Sequence, residues 1–239
     1  MDKENTSDTS FKYSSQRTKE ILDEFKNTKS QEERVEVFIK FYDETPTKEE
    51  IVLFYKYWAE TWDEDQKDEK HDCPKLMMEY VTKYCPNKDI SILDVCCGTG
   101  IASKYFYSLG YTTIDAIDGT DSMLEKARLT KRYRDLYHEF LEENSPVMSI
   151  PKERLYDLVF CSSSFVKTIL TGNNLPGLVE KIVKGGIMIM TEYSKTEDEI
   201  GVFKMLNLFE QKGEIEILLI EKKTCNGYEF NYIVFKKKL

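Results

Sequence analysis

The sequence predicts an α/β domain with a doubly wound, mostly parallel seven-stranded sheet, a C-terminal antiparallel hairpin and an N-terminal helical extension. Three observations predict this fold. Short apolar runs alternate with amphipathic segments from residue 90 onward, which is typical of a parallel sheet covered by helices on both faces. The last two runs are separated by Asn226-Gly227, and the segment before residue 90 has helical periodicity only.

Five apolar runs have the length of buried strands. They lie near residues 90–95, 113–118, 136–141, 156–161 and 186–191. The segments between and after them are expected to be helices, at about 100–109, 122–134, 174–183 and 196–212. Gly110 and Gly213 are placed as C-terminal stops of two of these helices.

The chain ends with two long predicted strands, at about 214–224 and 228–236. An Asn-Gly pair between two apolar runs favours a type I′ turn, and therefore an antiparallel hairpin. A doubly wound dehydrogenase would be expected to continue with parallel strands joined by crossovers. The hairpin therefore argues against that class of fold.

The N-terminal part is expected to be helical after a disordered tail. Residues 1–18 are polar and predicted to be disordered, 19–88 form the helical extension, and 89–239 form the sheet domain. Thr47 with Glu50 predicts a capping box at the start of a helix. The acidic run 63–65 is expected to end or expose that helix. Apolar side chains mark three helical stripes: Val35, Phe38, Ile39 and Tyr42; Ile51, Phe54, Tyr55, Trp58 and Trp62; Leu76, Tyr80 and Tyr84.

The composition is that of a folding, acidic chain. Hydrophobic residues make up 41% and aromatic residues 13% of the 239 positions, which is enough apolar material for a sizeable core. The 34 basic and 43 acidic residues give a formal charge of −9. A surface of this sign repels phosphate backbones, so the charge argues against nucleic acid as a partner.

The six cysteines and two histidines show no metal-binding spacing, so no metal site is predicted. The thiols of Cys73, Cys85, Cys96, Cys97, Cys161 and Cys225 are expected to be reduced and mostly buried. We find no secretory signal and no apolar run approaching the about 20 residues that cross a bilayer. The expected location is the cytoplasm, with the nucleus as a further option, and the expected state is a monomer.

Residues 92–100 carry the clearest functional pattern, a buried strand that enters a tight loop and then a helix. Gly98 and Gly100 allow a ligand to approach the backbone, and the helix N-terminus offers N–H groups to an anionic group. Asp94, near the end of the strand, can order the loop. The alternative is an ordinary strand–turn–helix junction.

Asp118, at the end of the second predicted strand, supports a nucleotide-like ligand. It lies 20 residues beyond Gly98, and an acidic residue at this place accepts both hydrogen bonds of a ribose diol in nucleotide-binding α/β folds. Gly119 follows directly. Met123 is placed against an adenine face, with a core position as the alternative.

Four segments resemble the motifs of class I S-adenosylmethionine-dependent methyltransferases. Residues 94–100 resemble the first motif, 116–124 the second-strand segment, 156–159 the fourth-strand motif and 184–186 the turn before the fifth strand. They occur in the family's order and cover about 50–192. The resemblance implies the class I fold, S-adenosyl-L-methionine as cofactor and methyl transfer as the activity.

Within that superfamily the chain is most similar to the methyltransferase-like proteins named after the Williams–Beuren syndrome region. Residues 54–59 and the following Trp62 resemble their aromatic segment ahead of the first motif, and Gly119 before Met123 also fits them. The resemblance implies that Trp58 and Trp62 contact the donor, with core packing as the alternative. Cys96 departs from the family, which has a glycine at this position.

Two further segments are expected to face the ligand. Cys161, at the end of the fourth predicted strand, precedes Ser162 and Ser163, and open α/β sheets bind ligands at such strand ends. The resemblance places Glu142, with its neighbour Glu143, where relatives contact the adenine amine.

The sequence leaves three hypotheses. The first is a methyltransferase acting on an unidentified small molecule or protein. The second is an inactive module that binds S-adenosylmethionine or S-adenosylhomocysteine. The third, a nicotinamide-dependent oxidoreductase, is disfavoured because Ser103 stands where the glycine pattern needs its third small residue. Methyl transfer needs mainly positioning, so no catalytic base is assigned.

Overall fold

The structure is a computed structural model that describes residues 11–66, 73–193, 198–225 and 228–238. The chain divides into two compact units, Met1–Phe54 and Tyr55–Leu239. In its described residues, 11–54, the first contains helices and no strand, and the second contains the seven-stranded sheet.

The first unit contains helices α1 (Gln16–Lys26) and α2 (Gln31–Asp43) and most of α3 (Lys48–Trp58). Its core is aromatic: the ring of Phe54 lies 4.3 Å from that of Phe25 and 4.5 Å from that of Phe41, measured between ring centroids. These contacts fix the start of α3 against the two preceding helices.

The start of α3 has the predicted capping box. Thr47 N–H donates to Glu50 Oε2 at 2.8 Å, and Glu50 N–H donates to Thr47 Oγ1 at 3.3 Å. The predicted tail, 1–18, is too long, because Ser15 caps α1 by accepting from Thr18 N–H at 2.9 Å. Residues 1–10 lie outside the described part of the chain.

The acidic run 63–65 does not simply end α3. It forms most of a separate short helix, α4 (Trp62–Asp65), in the second unit. Asp65 is buried because its carboxylate accepts the indole N–H of Trp58 at 2.7 Å. The side-chain hydrogen bond compensates the burial of this charge.

The predicted seven-stranded sheet is confirmed, with the order β3-β2-β1-β4-β5-β7-β6. Strands β1 to β5 pair in parallel, and β7 pairs antiparallel with both β5 and β6. The strands are β1 (Ser91–Val95), β2 (Thr113–Asp118), β3 (Leu136–His138), β4 (Tyr156–Phe165), β5 (Ile182–Glu192), β6 (Ile215–Cys225) and β7 (Tyr228–Lys237).

Helices cover both faces of the sheet. They are α5 (Cys73–Tyr84), α6 (Ile101–Ser108), α7 (Asp121–Leu129), α8 (Leu175–Glu180) and α9 (Val202–Gln211). Alternate residues of each central strand belong to two separate apolar cores. One core includes residues of α8 and α9, and the other includes residues of α5 and α6. The carboxyl ends of β1 and β2 are thereby held by packing from two sides.

Several predicted boundaries were wrong by a few residues. Strand β4 continues to Phe165 instead of 161, because Tyr193 N–H after β5 still pairs with Phe165 O at 2.9 Å. Strand β5 starts at Ile182 rather than 186, and β3 stops at His138. Helix α7 ends at Leu129 rather than 134, since Lys131 has a φ of 56°, which a right-handed helix does not allow.

The hairpin strands β6 and β7 pair along their full length, with Cys225 opposite Tyr228. The predicted turn residues, Asn226 and Gly227, lie outside the described residues, as does the predicted start of α9 at 196–197. Helix α9 begins at Val202.

The expectation of six reduced thiols was wrong for one pair. Cys73, at the start of α5, forms a disulfide with Cys225, at the end of β6, and both are buried. The pairing could not be predicted from spacing, because 152 residues separate the two. The remaining cysteines, Cys85, Cys96, Cys97 and Cys161, are free thiols. Among the described helices, none has both the length and the apolar character needed to cross a membrane.

Candidate functional site

The loop between β1 and α6 has an unusual backbone that alternates in handedness. Cys96, Gly98 and Gly100 have φ values of 53°, 55° and 90°, in the left-handed region that favours glycine. The loop is tied to the next strand by Cys97 N–H, which donates to Ile117 O at 3.2 Å. Cys96 adopts this conformation with a Cβ, at a cost on the order of 1 kcal/mol.

Asp118 connects the end of β2 to this loop. Its Oδ2 accepts the N–H of Gly98 at 2.9 Å, and its Oδ1 accepts the N–H of Thr120 at 2.9 Å. The residue is only 9% exposed. Burial raises the pKa of Asp118 to about 6, although the two N–H groups favour the ionised form. Each carboxylate oxygen retains a second lone pair, so the group can also accept hydrogen bonds from a diol.

Asp94 lies one residue before the end of β1, and its side chain is buried. Burial raises the pKa of Asp94 to about 7; a hydrogen bond from Tyr133 lowers it and the nearby charge of Asp118 raises it further. The two strand-end carboxylates therefore share one buried region under the loop. Both are ionised only near or above neutral pH.

The aromatic segment reaches the loop through Trp62. The indole nitrogen of Trp62 lies 3.9 Å from the position that a Cβ on Gly98 would take. Next to it, Thr99 Oγ1 donates a hydrogen bond to the carboxylate of Asp63. Trp58 is buried and directs its N–H to Asp65, so of the two tryptophans Trp62 is the one that borders the glycine loop.

Gly119, Met123 and Glu142 are the residues that were predicted to lie near the adenine. A Cβ on Gly119 would lie 2.9 Å from Cδ2 of Phe140, so Phe140 packs on the bare backbone there. Met123 is buried in α7, and Glu142 is exposed in the segment after β3. His138, at the end of β3, has its Nε2 3.1 Å from Gly119 O.

Cys161 is buried in β4 opposite Val95, and the serines that follow it lie beyond the predicted end of this strand at residue 161. They continue β4, where Ser163 has a φ of 58° and its N–H donates to Thr191 Oγ1 at 2.7 Å. Ser164 Oγ donates to Ser162 O at 3.1 Å. Two of the three serines therefore have local hydrogen bonds inside the sheet.

Sequence reasoning missed one side chain at this site, Tyr133. Its hydroxyl donates to Asp94 Oδ2 at 2.6 Å, across 39 residues of chain. The predicted helix that extended to residue 134 included Tyr133. Nothing in the neighbouring sequence indicates the contact of Tyr133 with Asp94. Within the described ranges, no group of three His, Cys, Asp or Glu side chains is arranged to hold a metal ion.

Comparison with known proteins agrees with this geometry. The family described as "Methyltransferase domain" matches residues 92–184, from β1 to the start of β5. Residues 92–184 of this chain are therefore similar to a methyltransferase domain. The match includes the glycine loop and both strand-end carboxylates.

A curated relative of the methyltransferase domain is the human protein named Methyltransferase-like protein 27. It is 33% identical over 80 residues, which is 33% of this chain and 33% of the human protein. The chain thus spans about one third of the length of the curated relative it matches.

Solved structures share the fold at low sequence identity. Magnesium protoporphyrin IX methyltransferase from Synechocystis PCC 6803, solved with bound SAM, is 12% identical with a TM-score of 0.54, over 95% of this chain and 100% of that chain. The ribosomal protein L11 methylase from Lactobacillus delbrueckii subsp. bulgaricus is 17% identical with a TM-score of 0.51, over 70% and 79%. The [4+2]-cyclase SpnF is 13% identical with a TM-score of 0.52, over 70% and 81%. The predicted class I methyltransferase fold is confirmed.

Proposed function

We propose that the chain is an S-adenosylmethionine-dependent methyltransferase that binds its donor at the carboxyl ends of β1 and β2. The observation that carries the proposal is the hydrogen bond from Gly98 N–H to Asp118 Oδ2. It joins a backbone surface without side chains to a buried carboxylate that can still accept hydrogen bonds from two hydroxyl groups. The family match over residues 92–184 supports a methyl donor as the ligand.

Each predicted residue has a distinct role in this proposal. Asp118 accepts the ribose hydroxyls, and Gly98 and Gly100 let the methionine part approach the loop. Asp94 orders the loop and receives the donor's ammonium group through water or backbone. Trp62 covers the loop from the aromatic segment.

The remaining contacts are placed around the same ligand. Met123 and Glu142 lie toward the adenine, with Gly119 behind them. Cys161 and the backbone of Cys96 lie toward the methionine part and the methyl group, and Trp58 supports Trp62 at a ring-centroid distance of 4.7 Å.

The donor supplies an activated methyl group on a sulfonium, so the chain's own residues act mainly by positioning. Holding donor and acceptor at near-attack distance contributes much of the acceleration in such displacements. We assign no general base, and the chemistry does not require one for every acceptor.

The acceptor we propose is a small molecule or a protein side chain. A net charge of −9 disfavours nucleic acid. The neighbours named above include a protein methylase and a small-molecule methyltransferase, so the shared fold does not choose between the two classes. We further propose that the protein acts as a monomer in the cytoplasm, with the nucleus as a second location.

Calorimetric titration with S-adenosylhomocysteine and S-adenosylmethionine tests the donor site. Asp118→Asn should lower affinity at least about 100-fold at pH 7.5, because two hydrogen bonds to a charged acceptor contribute about 1.5–3 kcal/mol each. Asp89→Asn is the matched control, since Asp89 is exposed and lies before the opposite end of β1. A folded wild-type protein that binds neither ligand at millimolar concentration would overturn the proposal.

The inactive donor-binding module is a second candidate, favoured by Cys96. This residue puts a Cβ and a thiol at a left-handed position where the family has glycine. Incubation with labelled methyl donor and separate pools of metabolites and proteins discriminates the two candidates. Donor binding without label transfer to any pool, unchanged in Cys96→Gly, would favour the binding module.

A further inference from the structure

Tyr133 lies in the segment between α7 and β3, outside every motif that the sequence suggests. Two contacts bring it under the glycine loop. Its hydroxyl donates to Asp94 Oδ2 at 2.6 Å, and its ring edge fills the space beside Gly100, where a Cβ would lie 2.8 Å from Tyr133 Cε2. A side chain at position 100 would therefore collide with the tyrosine ring, and the φ of 90° is a second reason for glycine there.

Asp94 depends on this contact because its surroundings hold little positive charge. Within the described residues it forms no ion pair, and it is 2% exposed. The groups that face it are Tyr133 from the segment after α7, Asp118 from β2, and the thiols of Cys96, Cys97 and Cys161. A hydrogen bond to the ionised form of a buried carboxylate favours that form and fixes its orientation.

A second hydrogen bond stabilises the same corner of the loop. Ser103, fully buried in α6, donates its hydroxyl to Gly100 O at 2.6 Å. Ser103 stands where the dinucleotide-binding glycine pattern needs its third small residue, and here its hydrogen bond stabilises the start of α6. The ring of Tyr133 packs against the same glycine.

We propose that Tyr133 is a positioning residue for methyl-donor binding: its hydroxyl orients the Asp94 carboxylate, and its ring supports the loop at Gly100. The proposal rests on the proposed function, because Asp94 is assigned there to the donor's ammonium group. Tyr133 acts through Asp94 and need not touch the donor.

The test measures the affinity for S-adenosylhomocysteine between pH 6 and 9 in three proteins. Tyr133→Phe removes the hydroxyl and keeps the ring. Burial already raises the pKa of Asp94 to about 7, and loss of the phenol should raise it further. We expect Tyr133→Phe to bind about tenfold more weakly at pH 7, to recover toward wild-type affinity at pH 9, and to shift the pH midpoint of binding upward.

Tyr137→Phe is the matched control, because its hydroxyl contacts Arg154 and not Asp94. It should leave the affinity and its pH midpoint unchanged. A lower melting temperature of Tyr133→Phe with an unmoved pH midpoint would show a structural role only and overturn the inference. Wild-type protein that binds no S-adenosylhomocysteine would instead overturn the proposed function, and the inference with it.

Discussion

Strand β2 carries two buried aspartates, three residues apart, in opposite electrostatic situations. Asp115 is fully buried and accepts two hydrogen bonds from Arg134, at 2.8 and 2.7 Å, one from Arg154 at 3.2 Å and one from Tyr156 at 2.9 Å. Asp118 accepts hydrogen bonds from backbone N–H groups. One carboxylate is compensated by cations, and the other by dipoles only.

The pKa values follow this difference. Burial alone would raise the pKa of Asp115, but the hydrogen bonds from Arg134 and Tyr156 outweigh it and hold the pKa below its usual value. Burial raises the pKa of Asp118 to about 6. Because a buried carboxylate with a raised pKa is typical of functional sites, we interpret Asp115 as structural and Asp118 as the ligand-binding member of the pair.

The largest effect is expected from removing the carboxylate of Asp115, whose charge the arginines compensate. Asp115→Ala should lower the free energy of unfolding by on the order of 3 kcal/mol, because it leaves the Tyr156 hydroxyl without its acceptor and removes the carboxylate to which Arg134 donates two hydrogen bonds, although both arginines keep Asp135 as a second counter-ion. The arginines are 44% and 34% exposed, so solvent limits the loss. Urea denaturation measures it, with Asp89→Ala as control. Donor affinity of the folded protein should be unchanged; a stability loss under 1 kcal/mol would break the comparison.

The second effect is the pH dependence of donor binding. Asp118 accepts both hydrogen bonds from the ribose hydroxyl groups only when it is ionised. The affinity for the donor should therefore fall about tenfold for each pH unit below the Asp118 pKa of about 6. Titrations at pH 5, 6, 7 and 8 measure this. His138→Gln separates the contribution of the ring that contacts Gly119, and Asp118→Asn should make the profile less steep below pH 6, where the contribution of Asp94 remains. An unchanged affinity at pH 5 in the wild type would contradict this role of Asp118.

The free energy of unfolding should depend on pH with one sign through Asp94 and Asp118 and with the opposite sign through Asp115. Asp94 and Asp118 bind protons more tightly folded than unfolded, so their contribution to stability rises as pH falls from 8 to 5. Asp115 has a lowered pKa when folded, so its contribution persists through this range and is lost only as pH falls below its unfolded value.

The smallest effect is expected from the outer arginine. Arg154→Ala leaves Asp115 its two hydrogen bonds from Arg134 and the one from Tyr156. Because Arg154 is partly exposed, the loss in urea denaturation should be much smaller than that of Asp115→Ala. A loss as large as that of Asp115→Ala would show that Arg154, and not Arg134, compensates the buried carboxylate.

The sequence predicts the fold well because its signals are local. Strand-length apolar runs and helical stripes depend on neighbours within a few residues, and β2 was predicted with its observed bounds, Thr113–Asp118. Errors occur where long-range pairing extends a strand, as at Phe165, or where a single left-handed residue stops a helix, as at Lys131. Neither has a signal in the local pattern.

The candidate site divides in the same way. Asp94, Gly98, Gly100 and Asp118 follow from strand ends and spacing, and the structure brings them together. Tyr133 and the Arg134 contacts could not be predicted, because they join residues 39 and 19 positions apart through the fold. The roles of the individual residues toward a donor stay predictions until ligand binding is measured.

The disulfide between Cys73 and Cys225 has a consequence for the integrity of the covalent chain. It joins the helix before β1 to the strand next to last in the chain, so the glycine loop and six strands, β1 to β6, lie within one closed ring of backbone. A protease that cuts once anywhere between those two cysteines opens the ring and leaves both pieces attached. The nicked protein therefore keeps its mass under oxidising conditions and separates into fragments only when the bond is reduced.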